Sequence, residues 1–123
     1  MSGQDGYERF RFPHESLHVY RDSLEFLRCV QELSVPSGHA ELRRQLSRAA
    51  LSITLNICEG RSQKLAGNSG INFYRIALGS AAECLGALDA LAIVGGRNCD
   101  VERSVVRRIG ARMAGLLAAG RRS

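Results

Sequence analysis

An all-α, up-down four-helix bundle is the fold this sequence predicts, on three observations. Apolar residues recur at intervals of three and four through four separate stretches. No segment alternates with period two for long enough to make a strand. The breaks between the stretches, near 35–38, 61–70 and 95–98, are short and rich in turn residues. Short connections pack consecutive helices antiparallel. At 123 residues the chain is one domain, with a flexible polar segment over 1–12, whose Phe10 and Phe12 offer the alternative of tucking against the bundle, and the bundle over 13–123.

The first helix is expected over 13–33. Pro13 suits its first position, where the missing N–H has no partner anyway. Its apolar arc is wide: Leu17, Tyr20, Leu24 and Leu27 on one side, with Val19, Phe26, Val30 and Leu33 beside it. His14, His18, Arg21, Glu25, Arg28 and Glu32 form the polar face.

The second helix is expected over 39–59. One face carries Leu42, Leu46, Ala49, Ala50, Ile53 and Ile57, and the opposite face carries Leu51 and Leu55 between Arg44 and Arg48. A polar line, Gln45, Ser52, Asn56 and Glu59, runs along one flank. Gly60 is expected to end the helix in the left-handed C′ conformation.

The third helix, 71–94, is nearly apolar all round, with only Arg75, Glu83 and Asp89 charged. Phe73, Ile76, Ala77, Ser80, Cys84, Leu88 and Leu91 are expected to face the core. Tyr74, Leu78, Ala81 and Leu85 form a second stripe, and Gly79, Ala82, Gly86 and Ala90 a third, made of small residues. The fourth helix is expected over 100–119, with Asp100 as N-cap and Val101, Val105, Ile109, Met113 and Leu116 inward.

A monomeric bundle needs one apolar stripe per helix. The surplus on helices two and three therefore predicts self-association, with Leu51, Leu55, Leu78 and Leu85 at subunit contacts.

The net charge of +5 is unevenly placed. Residues 1–96 hold equal numbers of basic and acidic side chains. The rest holds Arg97, Arg103, Arg107, Arg108, Arg112, Arg121 and Arg122 against Asp100 and Glu102. That asymmetry points to an anionic partner, nucleic acid before membrane. A solvated helix face in an arginine-rich chain is the plainer alternative. Arg43, Arg44, Arg48, Arg61 and Lys64 make a possible second patch. Arg107, Arg108 and Arg112 carry nucleic-acid affinity if they face solvent; otherwise they pair with acids across subunits.

Catalytic signals are weak. His14-Glu15-Ser16-Leu17-His18 matches the zinc-protease H-E-x-x-H pattern, whose two histidines bind metal from one helical face. Here it opens a helix on its polar side, with no room for a sheet and cleft, and exposed polar residues are the expected reading. Glu59 and Glu83 sit on apolar helices as di-metal carboxylates do, but Ser62 and Gly86 stand where the histidines would be. They are expected, with Asn56 and Ser80, to tie helices together. There is no phosphate-binding glycine loop and no nucleophile elbow. No enzymatic activity, cofactor or metal is expected.

Cys29, Cys58, Cys84 and Cys99 are far apart and read as buried free thiols in a reducing cytoplasm. The N-terminal residues lack a signal-peptide pattern, and no apolar run was expected to reach the roughly 20 residues that span a bilayer. A cytoplasmic protein without a membrane partner is the expectation.

The order and spacing of several pieces resemble a known family. They are the 12–20 segment FPHESLHVY, Gln45-Leu46, Ser52-Ile53, Asn56-Ile57, Glu59-Gly60, Ile76-Ala77, Gly79-Ser80 and Glu83. Together they resemble the bacterial four-helix-bundle family of 23S rRNA-intervening-sequence proteins, whose relatives include the accessory variability determinants of diversity-generating retroelements. The likeness covers roughly 12–95. The first ten residues and the last helix carry no matching motif. The resemblance implies a homopentamer, and its retroelement relatives imply docking to a reverse transcriptase or another protein. The residues themselves say only that the chain is more than a monomer. The function expected is a non-enzymatic oligomeric scaffold that binds DNA or RNA electrostatically. The alternative is a protein-interaction module with no nucleic-acid binding of its own.

Overall fold

The computed structural model describes residues 6–122, excluding the side chains of Arg121 and Arg122. Its described residues contain four α-helices and no strand: α1 (His18–Glu32), α2 (Ala40–Leu65), α3 (Ile71–Val94) and α4 (Asp100–Arg122). Two 3-10 turns, Tyr7–Arg9 and Pro13–Ser16, precede them. Each helix packs on two neighbours, in the cycle α1, α2, α3, α4 and back to α1, and the diagonal pairs do not meet. Thr54 reaching Ser23, Ser52 reaching Ser80 and Arg103 reaching Asp89 show that successive helices run antiparallel.

The core is one cluster drawn from all four helices. Phe26, Val30, Leu46, Ile53, Ile57, Cys84, Leu88, Leu91, Ile109 and Met113 are fully enclosed in it. Several expected faces are shifted. On α3, Tyr74 and Ala81 are buried, whereas Phe73 is half-buried and Ile76 is exposed. With Arg75, Glu83 and Asp89 its only charged residues, α3 has apolar side chains on several faces, and the periodicity is satisfied by more than one of them. On α4, Val101 is exposed, while Val106 and Leu117 join the core.

Helix boundaries also differ from the expectation. Leu17, extended at φ −80° and ψ 128°, separates the Pro13–Ser16 turn from α1 and tucks its side chain against the core. Residues 7–12 are not featureless, since Phe10 N–H donates to the Tyr7 carbonyl and Phe12 N–H to Glu15 Oε2. Most consequentially, α2 does not stop at Gly60 but runs to Leu65. Gly60 is a buried helical residue on which the Tyr74 ring lies. A Cβ there would come within 2.5 Å of Tyr74 Cε1. Glycine serves close helix approach here, not termination. The left-handed glycine is instead Gly70 (φ 72°), the N-cap of α3, and a Cβ on it would strike the Gly60 backbone. At α4 the cap is not Asp100. The Cys99 carbonyl accepts the first helical bond from Arg103 N–H, and Asn98 Oδ1 accepts from Asp100 N–H.

α3 is long and apolar enough to cross a membrane, which corrects the expectation that no apolar run reaches that length. In the bundle α2 and α4 pack along it, and Tyr74, Ala77, Ala81, Cys84, Leu88 and Leu91 are enclosed.

Candidate nucleic-acid interface and assembly faces

The basic excess of the last helix is largely countered in space. Arg108 Nε donates to Asp22 Oδ1 at 3.1 Å, and its Nη2 donates to Glu25 Oε1 at 2.8 Å. Arg112 Nη1 donates to the other Asp22 oxygen at 2.6 Å. The Asp22 side chain is only 8% exposed, and these two guanidiniums are what allow a carboxylate to sit so deep between α1 and α4. Arg103 bridges Asp89 of α3 and Asp100 of its own first turn, and Arg97 lies 3.8 Å from Glu102. These acids are supplied within the chain. Arg107 is exposed, with no acid paired to it among the described residues. The side chains of Arg121 and Arg122 lie outside the described residues.

The second patch divides in the same way. Arg43 is structural: its guanidinium donates to the carbonyls of Leu33 (2.8 Å) and Gln31 (3.2 Å), satisfying orphan acceptors at the end of α1. Arg44 pairs with Glu41, and Arg48 with Glu83 at 3.7 Å. Arg61 is half-buried near the Tyr74 ring, and its charge partly offsets the upward push that burial gives the Tyr74 phenol. The Tyr74 hydroxyl itself makes no hydrogen bond. Lys64 is exposed on the last turn of α2.

What charge counting along the sequence missed is the grouping by bundle end. In an antiparallel bundle the start of α1, the end of α2, the start of α3 and the end of α4 share one end. That end holds Arg9, Arg11, Arg21, Arg61, Lys64 and Arg75 against Glu8, Glu15 and Glu59 among the described residues. Glu15 is turned onto the Phe12 amide, and Glu59 accepts from Gln63 at 3.0 Å. The opposite end carries Glu32, Glu41, Asp89, Asp100 and Glu102, offsetting its arginines. The signal was present in the sequence as YERFRF, but 1–12 reads as loose tail until its place against the bundle is known.

Of the residues expected to tie helices together, Ser80 does so directly, and Asn56 only braces Ser52, its neighbour on the same helix. Ser52 Oγ and Ser80 Oγ are 2.8 Å apart, and Asn56 Nδ2 donates to Ser52 at its carbonyl and hydroxyl. Glu83 does so only through its exposed pair with Arg48. Glu59 does not, because it is exposed and its hydrogen-bond partner Gln63 lies on the same helix.

The four expected contact leucines fall on two different surfaces. Leu51 and Leu55 stand 48% and 56% exposed on the outer ridge of α2. The Ser52–Ser80 bond sets a register that puts exposed Ile76 of α3 at the height of Leu55. Leu78 and Leu85 are half-buried in a shallow groove between α3 and α4, floored by Ala81, Val106 and Gly110 and edged by Ala82, Arg107 and Ala111. Gly79 and Gly86, farther round α3, have open space where a Cβ would stand.

The chemistry of the remaining groups is muted. All four cysteines are free thiols. Burial raises each of them above the ordinary thiol value, and Cys84, enclosed beside Glu83, is pushed up to about 12. Thiols held protonated are poor nucleophiles and poor metal ligands. The break at Leu17 puts His14 and His18 on different elements, so the H-E-x-x-H pattern is not displayed on one helical face. His14 instead stacks beside Phe12 and meets the Tyr20 ring edge-on. No group of three His, Cys, Asp or Glu side chains among the described residues is placed to hold a metal.

Residues 15–98 match the family of 23S rRNA-intervening sequence proteins, and the chain belongs to that family. No curated protein matches the chain. The matched region covers α1 to α3 and stops two residues before α4, so Arg108 and Arg112 lie outside it while their partner Asp22 lies within.

Proposed function

We propose that the protein is a non-enzymatic scaffold that assembles with copies of itself and binds nucleic acid electrostatically. The observation that carries this reading is the separation of its cations. Three of the four described α4 arginine side chains are paired inside the chain, whereas Arg9, Arg21 and Lys64 have no acid partner among the described residues, and Arg107 stands open beside the α3/α4 groove. Unpaired cations on one face attract phosphates without reading bases.

The apolar surfaces support assembly. The ridge of Leu51 and Leu55 and the groove of Leu78 and Leu85 are unlike each other. A ridge of one subunit fitting the groove of the next is a heterologous contact, which closes into a ring when the rotation allows. The family resemblance implies five subunits. A ring would repeat the basic end once per subunit and raise avidity for long nucleic acid over short. A cytoplasmic setting is part of the same proposal.

Light scattering at micromolar concentration tests the first half. A mass several times 13.4 kDa is expected, reduced by Leu55→Arg with helicity retained; a mass near 13.4 kDa for the unaltered protein rules assembly out. Binding to DNA and RNA measured against salt tests the second half. Log affinity is expected to fall linearly with log salt, with a slope of about 0.7 to 0.9 per phosphate neutralised. Exposed Ile93, Val94 and Val101 at the opposite end favour a second reading, docking of a protein partner. Absence of nucleic-acid binding at low salt would leave that reading in place of the first.

A further inference from the structure

The residues before α1 hold an arrangement that bulk charge does not explain. Phe10 and Phe12 are 65% and 59% exposed, although rings of this size are normally enclosed. They are not loose. Phe10 N–H donates to the Tyr7 carbonyl at 3.0 Å. Phe12 N–H donates to Glu15 Oε2 at 2.7 Å, while Glu15 N–H returns to the Phe12 carbonyl at 3.1 Å. Pro13 holds the preceding Phe12 extended, at φ −76° and ψ 152°.

The rings continue inward as a ladder. Phe10 and Phe12 meet edge to face with centroids 5.0 Å apart, Phe12 and His14 lie near parallel at 6.1 Å, and His14 meets Tyr20 of α1 at 4.6 Å. The inner rungs are half-buried and the outer two are open. Arginines alternate with the open rings along the chain, as Arg9-Phe10-Arg11-Phe12. Arg11 and Arg21 line one shallow groove with Phe12. Among the described residues the acids there are Glu8 and Glu15, the second already turned onto the Phe12 amide.

We propose that Phe10 and Phe12 are a stacking platform for the unpaired bases of single-stranded nucleic acid, with Arg9, Arg11 and Arg21 neutralising its phosphates. The proposal rests on the electrostatic reading above and makes it selective. A duplex presents phosphates but keeps its base faces stacked on one another; only a single strand offers faces to an aromatic ring. Cations beside each open ring suit a chain that carries one phosphate per base, and they disfavour an aliphatic protein surface, which would have to desolvate them.

The test compares a labelled oligothymidylate with a duplex of equal length, using the full chain at low salt. The single strand is expected to bind about tenfold or more tighter. Phe10→Ala with Phe12→Ala should weaken single-strand binding about ten- to a hundredfold, leaving duplex affinity unchanged. Phe12→Tyr, which keeps a stacking face, should restore most of the loss when set against Phe12→Leu. Phe12→Trp supplies a direct readout, since the chain has no tryptophan of its own: its fluorescence should be quenched by the single strand and not by the duplex. Equal binding of both forms, with the alanine pair behaving as the unaltered protein, overturns the platform and leaves the electrostatic reading standing. No binding of either form defeats both. A fall in assembly mass in the alanine pair, with helicity retained, overturns the proposal in favour of a subunit contact at these rings.

Discussion

The two seams flanking the core are built on opposite principles. Between α2 and α3 the helices touch through small and hydroxyl groups: Gly60 beneath the Tyr74 ring, Gly70 against the Gly60 backbone, and Ser52 against Ser80. Between α1 and α4 the seam is ionic, with Asp22 clamped by Arg108 and Arg112 and Glu25 beside them. The first seam depends on shape, where any added atom must displace a neighbour. The second depends on charge neutralisation, where position tolerates adjustment but an unmatched carboxylate is costly.

Breaking the shape seam should have the largest effect. Gly60→Leu must push Tyr74 out of the core, and a loss of about 3 kcal/mol or more in denaturant unfolding is expected. A loss below about 1 kcal/mol would mean that the helices can separate there without cost.

The ionic seam should respond asymmetrically. Arg108→Ala with Arg112→Ala strands Asp22 in the interior without its cations and should cost about 3 kcal/mol. Asp22→Ala frees two guanidiniums that are 40% and 44% exposed and can turn to water, so it should cost about 1 kcal/mol. Equal costs for the two changes would show that the pairs act by direct attraction and not by rescuing a buried carboxylate.

The smallest effect is alkaline. The native Cys84 thiol keeps its proton up to about pH 12, against an ordinary value of 9.0 in the unfolded chain. Between these values the native state binds more protons, so stability present below pH 9.0 is lost as pH rises toward 12. The loss should reach about 1 kcal/mol at pH 10, and Cys84→Ala should flatten the difference between pH 8 and 10. The same curve for both proteins would place the titration elsewhere.

Much of the fold was legible because helical periodicity is local. Four helices, the inward faces of α1 and α2, and the exposure of Leu51 and Leu55 all follow from spacing. What failed depended on partners distant in sequence. Gly60 carries a helix-end signature until Tyr74 is known to lie on it. Asp22 occupies a polar position of α1 and looks solvated until α4 arrives with its arginines. The rotation of α3 could not be fixed because apolar residues occur on several of its faces and only three charges mark the outside. The candidate site was legible in part. The cations were visible, but charge summed along the chain put the excess on α4, with Lys64 in a possible second patch, whereas the fold pairs Arg103, Arg108 and Arg112 and gathers Arg9, Arg21 and Lys64 with open aromatic rings at one end.

Asp22 is synthesised long before its counter-ions, which lie 86 and 90 residues downstream. On the ribosome α1, α2 and α3 emerge first and can pair in order, leaving a trough with a carboxylate on its wall and no cation to meet it. Until α4 docks, that wall needs water, so the seam between α1 and α4 closes only when the last helix brings its cations. The ionic seam thereby couples enclosure of the hydrophobic interior to the docking of α4.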